Sequence, residues 1–223
     1  MKEVNLEQVA EQLESSSQRD RMIALAQLRD VEPERAVPLI KKVLHDESLQ
    51  IRSMAVFALG LKPTSESFSL ILEFLEDEDY GIRADAAGAL GYLQDQRAFE
   101  PLVRLFYEDT NWLVRFSAAV SLGNLQNPKA KEVLLEALKS KEIVLQQAAI
   151  AALGEIKSID SVEEMLRFVQ SEDWLVRQRL AEALGNLPSE QAISALNYLQ
   201  KDSHPQVSKA ATISLEKLGT ESN

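Results

Sequence analysis

Asn111-Trp112-Leu113-Val114-Arg115-Phe116-Ser117-Ala118-Ala119-Val120-Ser121-Leu122-Gly123-Asn124 is the stretch that decides the fold. Its skeleton is an aliphatic residue, then Arg, then Ala three positions on, and Leu-Gly to close. The same skeleton runs from Ile51-Arg52 through Ala55 to Leu59-Gly60 and from Ile82-Arg83 through Ala86 to Leu90-Gly91. It returns at Val176-Arg177, with Ala181 and Leu184-Gly185. Weaker copies begin at Asp20-Arg21, Leu145-Gln146 and Val207-Ser208. The Arg position therefore falls at 21, 52, 83, 115, 146, 177 and 208, in steps of 31 or 32 residues. Self-similarity at a period of about 20–50 residues marks a solenoid, in which each unit touches mainly its neighbours.

Each unit reads as two helices. Apolar residues ahead of the skeleton recur at helical spacing, as in Leu70, Ile71, Phe74 and Leu75 or Val162, Met165, Leu166 and Val169. Almost no window alternates with period two, so no sheet is expected. The fold class predicted is all-α, an α-solenoid or superhelix of about seven two-helix repeats. Their spans are 4–30, 33–61, 64–93, 96–125, 128–156, 159–187 and 190–218, all within a single domain over 1–223. Pro33, Pro63, Pro128 and Pro188 fall in turns after second helices, and Pro38 and Pro101 are expected in the first turn of first helices. Gly60, Gly91, Gly123, Gly154 and Gly185 are expected to end second helices in the left-handed conformation. Asp46, Ser48, Asp77, Asp79, Asp109, Asn111, Ser140, Asp173 and Asp202 stand where N-caps are needed. The last repeat, with Ser208 for Arg and the tail Gly219-Thr220-Glu221-Ser222-Asn223, reads as a terminal cap.

Composition narrows the function classes. The formal net charge is −11, which argues against a nucleic-acid partner, since such a partner needs a basic face. No apolar run of about 18 residues exists to insert in a membrane, and Met1-Lys2-Glu3-Val4-Asn5 has no apolar h-region. The absence of cysteine removes disulfides, thiolate metal sites and cysteine nucleophiles. A cytoplasmic protein is expected.

The recurrent arginine has a structural reading. Arg21, Arg52, Arg83, Arg115 and Arg177 flank the buried stripe, where a turn aspartate such as Asp46, Asp77 or Asp109 can reach them. A ladder of such pairs would fix the register of stacked repeats. The copies without Arg, at Gln146 and Ser208, should then stack more loosely.

The alternating helix pair with its V-R-x-x-A-x-x-A-L-G core resembles the HEAT repeats of the phycobilin-lyase type, over nearly the whole chain. Within that group the stretches Asn111 to Gly123, Val133 to Gly154 and Asp173 to Gly185 are most similar to phycobilisome degradation proteins of the NblB type. The resemblance implies a role when phycobilisomes are dismantled, and kinship with lyases that attach or detach linear tetrapyrroles on phycobiliproteins. It implies no tightly bound cofactor, with phycocyanobilin as a transient ligand. No family motif identifies a catalytic or metal-binding residue. His45 and His204 are the only histidines and lie far apart. The paired His-Glu motifs through which the HEAT-repeat enzyme deoxyhypusine hydroxylase binds iron are missing. A P-loop, a dinucleotide motif and a Ser-His-Asp set are missing as well.

A candidate binding face emerges from the helical wheel. With the aliphatic residue before Arg as offset zero and about 100° per residue, offsets zero, four, seven and eight form the buried stripe. Offsets minus one, two and six then point away from it, toward the concave surface that second helices line in HEAT solenoids. Leu113, Phe116 and Val120 stand there in the fourth repeat, and Phe57 in the second. Gly81, Ala84 and Gly88 leave the third repeat bare. Tyr80, Trp112 and Trp174 edge this strip, and Asp85, Gln147, Gln178, Arg179 and Glu182 flank it. For the tryptophans, filling the gap between adjacent repeats is an equal alternative. Arg115 or Arg179 can hold a bilin propionate. The expected partner is a phycobiliprotein subunit or another protein. The competing reading is an adaptor or assembly scaffold without chemistry.

Overall fold

Helix pairs follow the repeat along the chain. The computed structural model describes residues 4–221, so Met1–Glu3 and Ser222-Asn223, the outer parts of the start and tail read above, lie outside the described residues. Among the described residues there are fourteen α-helices and no strand, the all-α solenoid class that the missing two-residue alternation predicts. The chain forms two compact units, one ending at Pro101 and the other beginning at Leu102.

The first unit contains α1 (Leu6–Leu13), α2 (Gln18–Gln27), α3 (Pro33–Ile40), α4 (Leu49–Gly60), α5 (Ser67–Leu72) and α6 (Tyr80–Leu93). Helix α1 packs on α2, α3 on α4 and α5 on α6, and α4 touches both α2 and α6. The division between units falls within α7 (Phe99–Glu108). The second unit continues with α8 (Trp112–Asn124), α9 (Lys131–Ala137), α10 (Ile143–Glu155), α11 (Val162–Leu166), α12 (Trp174–Leu184), α13 (Glu190–Leu199) and α14 (Pro205–Glu221). Here α10 packs on α8 and α12, and α12 on α14.

The predicted stripe is buried. Val114, Ala118, Ser121 and Leu122 on α8 are at most 1% exposed. The stripe is wider than the wheel predicts, because offset five is buried too, at Val56, Ala87, Ala119, Ile150 and Ala181.

The glycines do something other than expected. None of the described glycines has positive φ; Gly60, Gly91, Gly123 and Gly154 lie inside helices, and Gly185 caps α12 at φ −65°. A Cβ on Gly123 would stand 2.7 Å from the Ala152 Cβ, and one on Gly154 would stand 2.9 Å from the Ala183 Cα. At Gly60, Gly123, Gly154 and Gly185, Leu-Gly is therefore a close-approach site between consecutive second helices. The left-handed residues are Gln94, Gln126 and Lys157, at φ 53°, 52° and 54°. Each lies three residues beyond a repeat glycine. Pro38 is also displaced from its expected place, since Pro33 takes the first turn of α3 and Pro38 lies inside the helix.

Two residues shape several of the turns before second helices. Asp79, Asn111 and Asp173 cap α6, α8 and α12 with their side chains. Two positions earlier, Asp77 and Asp109 each accept the cap residue's own N–H at 2.8 Å. Asp46 and Asp202 play that earlier part at Ser48 and His204, where Ser48 makes no cap bond of its own.

The arginine ladder is present, with a second function. Arg21 reaches Asp46 at 2.7 Å, Arg115 reaches Glu142 at 2.8 Å and Arg177 reaches Asp202 at 2.7 Å, each in the following repeat. Arg21, Arg52, Arg83 and Arg177 also donate to the carbonyl six residues back in their own turn, at 2.6–2.8 Å. Gln146 keeps that turn bond, to Ser140 O at 2.8 Å. Looser stacking does not follow from the loss of Arg at Gln146, because α10 approaches α12 at Gly154 almost as closely as α8 approaches α10 at Gly123. Backbone proximity at glycine sets the spacing, and the ion pair adds to it.

Candidate binding face

Asn111 starts α8 by accepting the Leu113 N–H at 2.9 Å. That start fixes the helical phase, so Leu113, Phe116 and Val120 share the face turned away from Val114, Ala118 and Leu122. All three are half-buried, while the stripe opposite is sealed. They are neither closed beneath neighbouring helices nor fully free. Trp112, at the head of the same helix, is 48% exposed.

Polar neighbours on α8, α10 and α12 are mostly engaged. Arg115 donates from Nη2 to Glu142 Oε1. Ser140 donates to the other oxygen of Glu142 at 2.6 Å. These bonds, that of Ser140 first, hold the Glu142 carboxyl below its ordinary value. Gln147 is half-buried on α10. On α12, Gln178 and Arg179 both donate to Glu182, each at 2.8 Å. The Arg179–Glu182 pair is exposed, so little free energy is needed to open it.

Trp174 stacks on His204, with ring centroids 4.0 Å apart and planes at 13°. One of its faces is therefore occupied by the next repeat, which favours the gap-filling alternative for this tryptophan. Its exposure is 40%.

In the first unit, Phe57 and Tyr80 are 43% and 51% exposed. Phe57 meets Tyr92 edge-on, with centroids 5.6 Å apart. Asp85 is half-buried; burial raises its carboxyl above the ordinary value, against a hydrogen bond from Ser53 that lowers it. Ala84, expected among the bare outward positions, is instead buried at 6% exposure.

Sequence reasoning did not identify Glu142 as the partner of Arg115 or His204 as the cover of Trp174. The signal for both is positional, because a residue in the turn before the next second helix lies about one repeat away in sequence. The Glu182 pairing was readable, since Gln178, Arg179 and Glu182 stand at the spacings that meet on a helix surface. Among the described residues no cluster of His, Asp and Glu can hold a metal ion, and no helix is long and apolar enough to cross a membrane.

No curated protein matches the sequence. A chain of the complex of CpcE and CpcF of phycocyanin lyase from Nostoc sp. PCC7120 shares the fold at 19% identity and TM-score 0.64, covering 98% of this chain and 96% of that one. A chain of the Kap95p complex with RanGDP aligns at 13% identity and TM-score 0.65, over 99% of this chain and 36% of that chain. An engineered protein aligns at 22% identity and TM-score 0.60, over 96% of this chain and 68% of that one. The family model for HEAT repeats matches residues 68–151 and 132–216, which together make up most of the chain. With its stacked helix pairs and these matches, the chain belongs to the HEAT-repeat family.

Proposed function

We propose that this protein binds a phycobiliprotein, or the linear tetrapyrrole on it, through the apolar face of α8 and its neighbours. In this reading it acts in the cytoplasm during phycobilisome degradation, as NblB-type proteins are expected to, and helps detach the chromophore. The observation that carries the reading is the half-exposure of Leu113, Phe116 and Val120 on a helix whose opposite stripe is sealed. An apolar surface with a polar rim marks an interaction site. The fold likeness to a phycocyanin-lyase chain, with both chains almost fully covered, supports the choice of partner.

The chemistry asked of the chain is binding. Phe116 and Trp112 offer apolar and aromatic surface to a conjugated ring system or to the helical protein around it. Arg115 or Arg179 exchanges its carboxylate partner for a propionate. The bound conformation strains the thioether link between chromophore and phycobiliprotein, and phycocyanobilin is only a transient ligand.

A second reading has its own support. Arg115 and Arg179 are already paired with Glu142 and Glu182, which suits an adaptor or assembly scaffold that grips a protein surface without acting on it. Mixing the purified chain with phycocyanin separates the readings. Detachment predicts a change in visible absorption and loss of protein-bound bilin. An adaptor gives a complex with an unchanged spectrum. Neither complex nor spectral change contradicts both. Phe116→Asp is expected to abolish capture in either case, by about 2 kcal/mol or more if Phe116 is a central anchor.

A further inference from the structure

A separate groove lies in the first unit, cut between α2 and α4. It encloses about 220 Å³, and its apolar walls include Leu25, Met54, Phe57, Ala58 and Leu61. Lys62 also lines it, and this residue is only 7% exposed. Its Nζ donates to the Val31 carbonyl at 2.5 Å and to the Arg29 carbonyl at 2.6 Å. An ammonium carries three N–H donors, so one remains. Among the described residues no carboxylate pairs with Lys62, and a buried charge without a counter-charge is costly. Arg29 stands on the same lining with its exposed guanidinium paired to Asp30 at 3.4 Å, and no acidic residue lines the groove itself.

We propose that this groove is a binding site for a small amphipathic carboxylate. Its head accepts the remaining Lys62 N–H and neutralises the ammonium, while its apolar tail lies along Met54, Phe57 and Leu61. The occupant is small, because the volume is below the about 300 Å³ from which drug-sized pockets start. An apolar molecule without a head group would leave the cation unanswered, and a cationic one would be repelled by Lys62. The site shares Phe57 with the face discussed above and does not depend on that reading.

Octanoate titrated into the full chain tests this, with octanol as the uncharged control and backbone amide chemical shifts as the readout. The expected result is saturable shifts confined to α2, α4 and the Arg29–Val31 turn, with octanoate bound about tenfold or more tightly than octanol. Lys62→Met is expected to weaken octanoate by a similar factor. Because that change also strips two carbonyls of their donor, Phe57→Asp serves as the second variant. Phe57 is 43% exposed, and a carboxylate in its place repels the ligand without emptying the core. Equal affinity for octanoate and octanol, shifts spread over the molecule, or undiminished octanoate binding in Phe57→Asp overturns the proposal.

Discussion

Arg177 joins two repeats with one side chain. Its Nε and Nη2 meet the Asp202 carboxylate at 2.7 and 3.0 Å, and Nη1 donates to Ser171 O at 2.6 Å. Asp202 also accepts the His204 N–H at 2.8 Å, so the pair fixes the turn on which the Trp174 stack depends. The Arg177 hydrogen bond holds the Asp202 carboxyl below its ordinary value, and Asp202 raises Arg177 in return. A depressed acid stabilises the fold above its unfolded value, about 3.9, and that contribution is lost as pH falls through the folded value. Asp202→Asn is therefore expected to cost about 1.5–3 kcal/mol at pH 7, the range for hydrogen bonds to charged groups. Urea unfolding should show the gap to the parent protein closing below pH ~3.9. Asp85 has the opposite sign, because burial raises its carboxyl. Its ionised form works against the fold above its titration, so Asp85→Asn is expected to raise the midpoint of thermal unfolding at pH 7 and to change little in acid. A lower midpoint at pH 7 would contradict that assignment.

Among the helices, two classes of glycine make opposite predictions. Gly123 sits where α8 meets α10, and an added Cβ would fall 2.8 Å from the Ala152 Cα. Gly123→Ala is expected to cost about 1–3 kcal/mol through overpacking, despite the gain in helix propensity. Gly88 in α6 meets nothing within 4 Å, so Gly88→Ala is expected to stabilise by about 0.5–1 kcal/mol. Circular dichroism during denaturation distinguishes the two outcomes. The helices themselves were legible from the spacing of apolar residues around each Arg, and so was the sealed stripe of Val114, Ala118 and Leu122. The role of Leu-Gly was misread. A glycine after a leucine at a helix end has the same letters whether it turns the chain or admits a neighbouring helix, and only the next repeat's position decides. Ala84 is buried although the wheel points it outward, since a wheel drawn on one helix contains nothing of what packs around it. The wheel puts Phe116 on the side of α8 away from Val114 and Leu122, and the structure leaves it half-buried there.

At the scale of the whole molecule, the repeat supplies many equivalent second helices, and α8 departs from them by carrying large apolar side chains at all three outward offsets, Leu113, Phe116 and Val120. A HEAT array builds surface by repetition, and in the proposed function the residues of α8 that break the pattern are the partner's footprint. Photo-crosslinking tests this most directly, with benzoylphenylalanine placed at position 116 of the full chain and phycocyanin as the partner. A second chain labelled at the exposed position 132 on α9 serves as the control. Crosslinks to phycocyanin from position 116, with few or none from 132, are the predicted result. Crosslinks from 132 with none from 116 would contradict the assignment of the α8 face as the docking surface.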